Sequence, residues 1–354
     1  MQDQDLTLDL QAQVRQAIES RNPLQIIGGN SKAFYGLATS ANTPLKLTGH
    51  QGIVEYEPSE LVVTVRSGTS LNKLKKILAE QGQMLAFEPP AFSAAATIGG
   101  TIACGFSGPR RPYVGSARDF VLGCTILNGK AERCRFGGQV MKNVAGFDVS
   151  RLMVGALGQL GVLLEISLRL MPIAEAEITL SHPLTSYEQA LKLLQRWQGQ
   201  PWPISALAFD DHKLQMRLSG ADAAIQSAVK QLGGEVDPQD QQFWRDLREH
   251  RLDFYHGPEN LWRISITPAT PMLDLPGHWL LDWGGAQRWL KSPASAKQIH
   301  EQTQAQGGHA ICFRGSEKKD WLRLEPNLLT LHKKVRQAFD PYQLLNPHRF
   351  SPEL

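Results

Sequence analysis

The sequence predicts an α+β protein with two domains. The chain of 354 residues is long for a single hydrophobic core, and an apolar content of 42% is typical of a folded chain. Segments with helical spacing of apolar residues alternate with short apolar runs typical of strands. The pattern changes near residue 173, and all eight tryptophans lie beyond that point.

The first 85 residues or so predict a small α+β subdomain. An amphipathic helix ends before Pro23, and the apolar run 24–27 that follows is a predicted strand. A second strand is predicted over 61–66. Ser70 is placed to cap the next helix, which Gly82 ends.

Residues 86–172 predict a second subdomain, so the first domain covers 1–172. It begins with a glycine-rich stretch and continues into a hairpin over 120–136 that turns at Asn128-Gly129. An alternating strand over 164–171 ends at Pro172.

The second predicted domain covers 173–325, and a tail over 326–354 returns to the first domain. The second domain contains amphipathic helices and strand-like runs, which we place at 187–197, 221–232, 206–209 and 262–266. The tail is a helix that Asp340-Pro341 ends, followed by a tight turn at Asn346-Pro347.

Charge and cysteine content exclude several classes of function. The 37 Lys and Arg against 34 Asp and Glu leave a net charge of +3, which is too small and too dispersed to predict a nucleic-acid partner. The four cysteines form no CxxC pair and no zinc spacing, so we expect reduced thiols and no metal.

The N-terminus and the apolar segments predict a cytoplasmic protein. Acidic residues stand where a signal peptide needs a basic flank. The longest apolar stretch, 152–164, is shorter than the roughly 20 residues of a membrane-spanning helix. Peripheral attachment to the inner membrane through a partner remains open.

Three glycine segments are the candidates for a ligand site: "GGNSK" at 28–32, "TIGGTIACGFSG" at 97–108 and "GALGQLGV" at 155–162. The dinucleotide pattern GxGxxG is absent in that form, and the phosphate-loop pattern fails because Lys32 is followed by Ala33. A third interpretation is a nest of backbone N–H groups around a pyrophosphate. Each segment alone is more often a plain turn.

The order of these segments resembles a known flavoprotein superfamily. The succession "IIGGNSK", "FEPPAFSAAATIGGTIACGFSGPRR", "YVGSARDFVLG", "KNVAGFDVSRLMVGALGQLGVLLEISLRLMP" and "FDPYQLLNP" resembles the PCMH-type FAD-binding domain of the vanillyl-alcohol oxidase superfamily. "GGNSKAFYG", "GPRRPYVGSARDFVLG", "DWGGAQRWL" and "GGHAICFRG" are similar to the family of E subunits of bacterial glycolate oxidase (glycolate dehydrogenase). This resemblance covers essentially the whole chain and implies a PCMH-type FAD domain with a smaller α+β cap domain.

The resemblance implies which residues bind FAD. The first segment surrounds the pyrophosphate, the second the pyrophosphate and flavin edge, and the third the adenine side, while an asparagine of the tail returns to the flavin domain. The implied cofactor-binding residues are Gly28, Gly29, Asn30, Ser31, Lys32, Pro90, Thr97, Ile98, Gly99, Gly100, Ala103, Gly105, Gly108, Arg111, Gly158, Leu160, Gly161, Val162 and Asn346. We expect the glycines to leave room for the cofactor at three separated turns.

Two positions depart from the family pattern. Superfamily members that link FAD covalently often have histidine after the paired glycines, where this chain has Asn30, so we expect non-covalent FAD. Many relatives have an acidic residue at the position of Leu157.

No catalytic base is predicted. Related hydroxy-acid dehydrogenases carry a histidine-rich motif, HxGDGNxH, which this chain lacks. Among its late histidines, His309 is the best candidate for a site near the flavin, although a lone histidine is more often structural. Arg110 and Arg111 are equally consistent with holding a carboxylate or flavin phosphate and with a solvated basic pair.

The tryptophans of the second domain allow two interpretations. Trp244, Trp262, Trp283 and Trp289 either build its core or form a subunit interface. For "DWGGAQRWL", where paired glycines separate two tryptophans, our hypothesis is a partner surface.

The resemblance implies an FAD-binding subunit of a glycolate dehydrogenase complex that oxidises glycolate to glyoxylate. Its implied partners are a larger catalytic flavoprotein subunit and an iron–sulfur subunit that passes electrons to quinone. Two alternatives stay open: a stand-alone FAD-dependent 2-hydroxy-acid dehydrogenase, and a redox-inactive scaffold subunit of the same complex.

Overall fold

The computed structural model describes residues 3–138, 147–197, 199–237, 240–317 and 324–354. The first five residues of the motif "KNVAGFDVSRLMVGALGQLGVLLEISLRLMP", 142–146, therefore lie outside the described residues. The chain forms two compact units. The first unit comprises Met1–Ser107, Gly115–Ile173 and Arg323–Leu354, and the second comprises Gly108–Val114 and Ala174–Leu322.

The first unit is built on a five-stranded antiparallel sheet with strand order β3-β4-β8-β6-β7. Strands β1 and β2 form a parallel pair, and β5 pairs with β9. The strands are β1 (Leu24–Ile27), β2 (Thr43–Lys46), β3 (Ile53–Glu57), β4 (Val62–Arg66), β5 (Gln83–Met84), β6 (Val121–Leu127), β7 (Arg133–Gly137), β8 (Val162–Arg169) and β9 (Met171–Pro172). The helices are α1 (Thr7–Ser20), α2 (Leu71–Glu80), α3 (Ile98–Cys104), α5 (Ala117–Phe120), α6 (Val149–Leu152) and α11 (Pro326–Phe339).

Local signals in the sequence account for several of these elements. Leu10, Val14 and Ala17 form the buried stripe of α1 and pack with Leu24 and Leu45 in one core cluster. The Ser70 hydroxyl accepts a hydrogen bond from the backbone N–H of Lys73, which confirms the predicted cap of α2. The hairpin of β6 and β7 is also as predicted.

The second glycine segment differs from the prediction, because most of it is the helix α3 rather than a turn. The Thr97 hydroxyl caps this helix by accepting from the Gly100 N–H at 3.2 Å. Glycine disfavours a helix by about 1 kcal/mol relative to alanine. At Gly99 packing outweighs this preference, since a Cβ there would lie 2.6 Å from the Ser67 Cβ.

The second unit is built on an eight-stranded antiparallel sheet with strand order β13-β10-β12-β11-β15-β16-β14-β17. Its strands are β10 (Ala176–Pro183), β11 (Ile204–Phe209), β12 (Lys213–Gly220), β13 (Glu235–Val236), β14 (Leu261–Ser265), β15 (His278–Asp282), β16 (Gln287–Lys291) and β17 (His309–Arg314). Its helices are α4 (Arg111–Val114), α7 (Tyr187–Trp197), α8 (Asp222–Leu232), α9 (Asp240–Glu249) and α10 (Ala296–Ala305). No described helix of either unit is long and apolar enough to cross a membrane.

Segment Gly108–Val114 belongs to the second unit, whereas the sequence placed it within the first domain. A guanidinium N–H of Arg110 donates to the Glu177 carboxylate at 2.7 Å and another donates to the Ser219 hydroxyl. The indole N–H of Trp283 donates to the carbonyl of Gly108 at 3.0 Å. These contacts involve residues more than 60 positions apart in the chain, so local patterns do not predict them.

The tryptophans belong to the core of the second unit. Trp244, Trp262, Trp283 and Trp289 are 3%, 0%, 8% and 3% exposed. The hypothesis of a partner surface at "DWGGAQRWL" is therefore wrong. Its paired glycines make the tight connection between β15 and β16, with Gly284 at φ 63°.

A buried histidine connects the N-terminal segment to strand β8 of the first unit. The ring of His50 is fully buried; its Nδ1 accepts from the backbone N–H of Leu6 at 3.0 Å, and its Nε2–H donates to the carbonyl of Leu164 at 3.2 Å. Only the neutral ring with its proton on Nε2 can make both bonds. Burial, opposed by the nearby Asp5 carboxylate, lowers the pKa of His50.

We expect this histidine to make the protein acid-sensitive. Because the pKa of His50 is lower in the folded than in the unfolded chain, the unfolded chain binds more protons as pH falls below about 6.5, the usual value for histidine. Its contribution to stability is complete above that pH and is lost progressively below it, by at most about 1.4 kcal/mol per pH unit. Denaturant titrations of the wild type and of His50→Gln between pH 5 and 8, on the order of six points, measure this slope.

His50→Gln should remove the part of the pH dependence of stability that His50 causes. His212→Gln, at an exposed position, should leave that pH dependence unchanged. Equal slopes in all three proteins would contradict the assignment.

Candidate cofactor site

A cleft of the first unit brings together residues from all three glycine segments and from the tail. Its empty volume is about 750 Å³, including its open mouth. The predicted residues that line it are Gly28, Gly29, Asn30, Ser31, Lys32, Thr97, Gly99, Gly100, Ala103, Gly158, Gly161 and Asn346. Segments separated by up to 318 positions thus converge on one site.

Some predicted cofactor residues lie elsewhere. Pro90, Ile98, Gly105, Leu160 and Val162 are in the first unit but do not line this cleft. Ile98 and Val162 are fully buried in its interior, and Leu160 lines a different cleft beside α11. Gly108 and Arg111 belong to the second unit.

Sequence reasoning missed several residues that line the cleft. They are Ile26, Ile27, Ala33, Leu47, Ser67, Cys104, Leu157, Leu163 and Arg349. Most are apolar residues with no signal of their own. Arg349 did carry a signal in the sequence, because it is a cation three positions beyond Asn346 in a tail that was expected to return to this domain.

The paired glycines of the first segment are required by neighbouring protein atoms. A Cβ at Gly29 would lie 1.5 Å from the carbonyl oxygen of Ala95, and one at Gly28 would lie 2.5 Å from the Thr97 hydroxyl. Contacts within the protein therefore require glycine at both positions, a reason that the sequence did not reveal. At Gly100 a Cβ would lie 3.3 Å from the Thr97 hydroxyl oxygen.

The turn over 28–32 contains one residue in the left-handed region, as anion nests do. Asn30 adopts the left-handed region at φ 56°, and its carbonyl accepts from the N–H of Ala33. In turns of this kind successive N–H groups converge on an anion.

Two cations and no carboxylate are found among the described residues that line the cleft. Lys32 is 5% exposed, and its ammonium lies 3.4 Å from the carbonyl oxygen of Ala91. Arg349 donates to the carbonyl oxygens of Leu37 and Ala33, both at 2.9 Å, and burial lowers the pKa of its guanidinium. Buried positive charge is costly unless negative charge compensates it, so the cleft is suited to a phosphate-bearing ligand.

Cys104 lies in the cleft as a neutral thiol. Burial raises the pKa of Cys104 to about 11, although the charges of Lys32 and Arg349 act in the opposite direction. A thiol with this pKa is a weak nucleophile at neutral pH.

Asn346 joins the tail to two walls of the cleft. Its side-chain oxygen accepts from the N–H of Ile26 at 2.8 Å, and its side-chain amide donates to the carbonyl of Leu157 at 2.7 Å. Its own N–H donates to the carbonyl of Leu24. Gly158 is required beside it, because a Cβ there would lie 2.7 Å from the Asn346 amide nitrogen.

Arg110 and two histidines late in the chain, His332 and His348, have structural partners. Arg110 is held by Glu177, which decides against a solvated role for that arginine. The ring of His332 stacks on Phe350 at 5.2 Å, and His348 Nδ1 lies 2.9 Å from the carbonyl oxygen of Pro352. No group of three or more potential metal ligands is found among the described residues.

Comparison with known proteins identifies the kind of fold. Residues 7–137 match a family described as an FAD binding domain. The fold resembles two crystal forms of alkyldihydroxyacetonephosphate synthase, each with a TM-score of 0.68, over 96% of this chain and 75% of that one; the sequence identities are 14% and 13%. The chain is thus a flavoprotein with a PCMH-type fold, which confirms the predicted fold class and cofactor.

The family follows from a full-length relative. The chain is 47% identical to the glycolate oxidase subunit GlcE of Escherichia coli K12 over 99% of both chains, and it belongs to the family of that subunit. More distant similarity extends to a D-lactate dehydrogenase of Anaerostipes hadrus, with 26% identity over 59% of this chain and 44% of that protein. The glycolate oxidase subunit GlcD of Bacillus subtilis is 32% identical over 46% of this chain and 34% of its own length.

Proposed function

We propose that this chain is the FAD-binding subunit of a glycolate dehydrogenase complex that oxidises glycolate to glyoxylate. The observation that carries this proposal is the full-length identity of 47% to a glycolate oxidase subunit, together with a cationic cleft in the FAD-binding unit. Bound FAD supplies the acceptor for the two electrons of the oxidation. The chain's own residues hold the cofactor.

Different parts of the cleft suit different parts of FAD. Lys32 and Arg349 supply positive charge for the diphosphate, and the turn over 28–32 supplies backbone N–H groups. The apolar side chains of Leu47, Leu157 and Leu163 give the remaining wall an apolar surface suited to a ring.

We further propose that the chain works with a larger catalytic flavoprotein subunit and an iron–sulfur subunit, which passes the electrons towards quinone. The similarity to GlcD of Bacillus subtilis supports the first partner, since a second glycolate oxidase subunit shares part of this sequence. In this proposal the protein is attached to the membrane only through its partners.

Anaerobic addition of glycolate tests the function. The chain is purified alone and together with its partner subunits, and the flavin absorbance of each sample is recorded before and after glycolate is added. We expect the flavin of the assembled complex to bleach. Turnover by the single chain with an artificial acceptor would instead favour a stand-alone dehydrogenase, and a folded chain without flavin absorbance would favour a scaffold.

We predict that FAD is bound without a covalent link. Asn30 stands at the position where covalent members of the superfamily often have histidine, and a carboxamide is not a comparable nucleophile. Acid precipitation should release all of the FAD into the supernatant, and the denatured protein should have the mass of the unmodified chain. A flavin adduct in its mass spectrum would contradict this.

A further inference from the structure

A second cleft of the first unit lies beside α11. Its empty volume is about 920 Å³, including its open mouth. Helices α5, α6 and α11, the residues that follow α6, and the tail all line it. Among the described residues, it has no lining residue in common with the cofactor cleft. Binding of FAD in the cofactor cleft therefore does not account for it.

The wall of this second cleft is largely apolar and extends onto the protein surface. Leu152 of α6 and Leu331 of α11 line the cleft and are 43% and 56% exposed. Leu328, which is 44% exposed, is three positions before Leu331 and lies on the same side of α11. The other apolar side chains of the wall include Val154, Leu160, Val335 and Phe350. Exposed apolar side chains grouped around a concave site mark an interaction surface.

A buried arginine at this cleft lacks a hydrogen-bond partner. Arg336 of α11 lines the cleft and is 4% exposed, and none of its three guanidinium nitrogens has a hydrogen-bond partner among the described residues. The Asp340 carboxylate lies 3.9 Å from one of them, beyond hydrogen-bonding distance, and accepts instead from the backbone N–H groups of Leu344 and Leu345. A buried charge that is incompletely compensated is costly, so a further negative charge at this cleft would be stabilising.

The rim of the cleft is positively charged. Arg118 and Arg151 line it and are exposed, and the Nε of Arg151 lies 3.0 Å from the Asp148 carboxylate. No Asp or Glu side chain is found among the described residues that line the cleft. Lys334, three positions after Leu331, adds an exposed cation on α11. We refer to the cleft together with Leu328 and Lys334 as the α11 surface.

We propose that the α11 surface is the docking site of another subunit of the complex, one that presents an apolar side chain next to a carboxylate. The apolar side chain enters the cleft and covers Leu152 and Leu331. The carboxylate pairs with Arg118 at the rim and offsets the buried charge of Arg336. An apolar centre with a polar rim is the usual arrangement of a protein interface, and complementary charges select the partner. The existence of a partner subunit rests on the proposed function.

The charge and shape of the α11 surface favour a different protein over the two other occupants that an apolar, cationic surface could have. In a symmetric contact between two copies of this chain, the same patch would face itself and like charges would be opposed. A membrane surface is flat, whereas this apolar site is concave and is filled by a protruding side chain.

Binding of purified partner subunits to variants of the FAD-loaded full chain tests the site. The larger flavoprotein subunit and the iron–sulfur subunit are titrated, separately and together, onto the immobilised chain, and the Kd is measured by biolayer interferometry. Leu331→Asp places a charge in the apolar centre and should raise the Kd at least about 30-fold, the loss expected for an interface hot spot. Leu8→Asp, an exposed position of α1 that does not line the cleft, is the matched control and should leave the Kd unchanged.

Charge reversal tests the electrostatic part of the interface. Arg118→Glu should raise the Kd about 10-fold and should weaken the dependence of the Kd on salt concentration, because it replaces an attraction by a repulsion. Arg15→Glu, at an exposed position of α1, changes the net charge equally and should leave the Kd nearly unchanged. The flavin content and melting temperature of each variant establish that it is folded.

Three results would overturn the inference. The first is equal affinity of the wild type, Leu331→Asp and Arg118→Glu for the partner subunits, and the second is absence of binding to the wild-type chain. The third is an effect of these substitutions only on binding to vesicles of anionic phospholipid or on self-association of the chain.

Failure of this inference is distinguishable from failure of the proposed function. If glycolate bleached the flavin of the complex and Leu331→Asp assembled like the wild type, the docking site alone would be wrong. If Leu331→Asp lost its partner subunits and glycolate bleached no flavin in the wild-type complex, the docking site would be supported and the proposed function would be wrong.

Discussion

The Gly29→Ala variant is expected to lose FAD and much of its stability. The new Cβ would lie 1.5 Å from the carbonyl oxygen of Ala95, 2.4 Å from its carbonyl carbon and 3.2 Å from the backbone nitrogen of Ala96. These are backbone atoms that cannot rotate away, so one of the two segments must move. Overpacking of this kind costs on the order of 3 kcal/mol.

The displacement would affect the cofactor site directly, because the turn over 28–32 and Thr97, two positions after Ala95, line the same cleft. Flavin absorbance per protein and the denaturation midpoint measure the two effects. Gly220→Ala is the matched control, since the nearest atom to its Cβ would be a Pro203 carbon at an ordinary 3.7 Å. Wild-type flavin content and midpoint in Gly29→Ala would show that the close approach to Ala95 does not exist.

The Asn346→Ala variant should be destabilised by about 2 to 5 kcal/mol and should bind FAD more weakly, because two buried backbone groups lose their partners. The side chain now satisfies the N–H of Ile26 and the carbonyl of Leu157, which are about 320 and 189 positions away. Without the Asn346 side chain, the tail that carries Arg349 is held less firmly against the cleft. Thermal denaturation and a fluorescence titration with FAD measure the two losses.

Backbone conformation adds to this loss and can be separated from it. Asn346 has φ 42°, which costs alanine roughly 1 kcal/mol more than asparagine or glycine. Asn346→Gly also removes the side chain but avoids that backbone strain. Compared with Asn346→Ala, it should therefore recover only the stability that the strain costs. Glu353→Ala, an exposed change in the same tail, should behave as wild type. Full recovery in Asn346→Gly would show that the two side-chain hydrogen bonds contribute nothing.

Elements with strong local signals were predictable. The helices α1, α2, α7 and α11 and the hairpin of β6 and β7 follow from apolar spacing, caps and turn residues within a few positions of one another. The glycine segments and Asn346, singled out by their resemblance to an FAD-binding family, line one cleft, and their role in binding FAD stays a prediction.

Elements that depend on distant contacts were not predictable in this way. Local propensity argues against α3, yet Gly99 fits closely against Ser67 in the folded chain. The same reasoning applies to "DWGGAQRWL", where two glycines beside tryptophan suggested an exposed turn and the ring of Trp283 is instead covered by Arg111.

The sequence by itself thus determined the class of fold, because helix spacing, capping and turn residues act over neighbouring positions, and its resemblance to a known flavoprotein family identified FAD as the cofactor. Only the tertiary structure decided why Gly28 and Gly29 are glycine, that Arg349 completes the cleft, and that Gly108–Val114 joins the second unit. Each of these depends on atoms from segments far apart in the chain, and their distances are set by packing of the whole unit rather than by any local pattern.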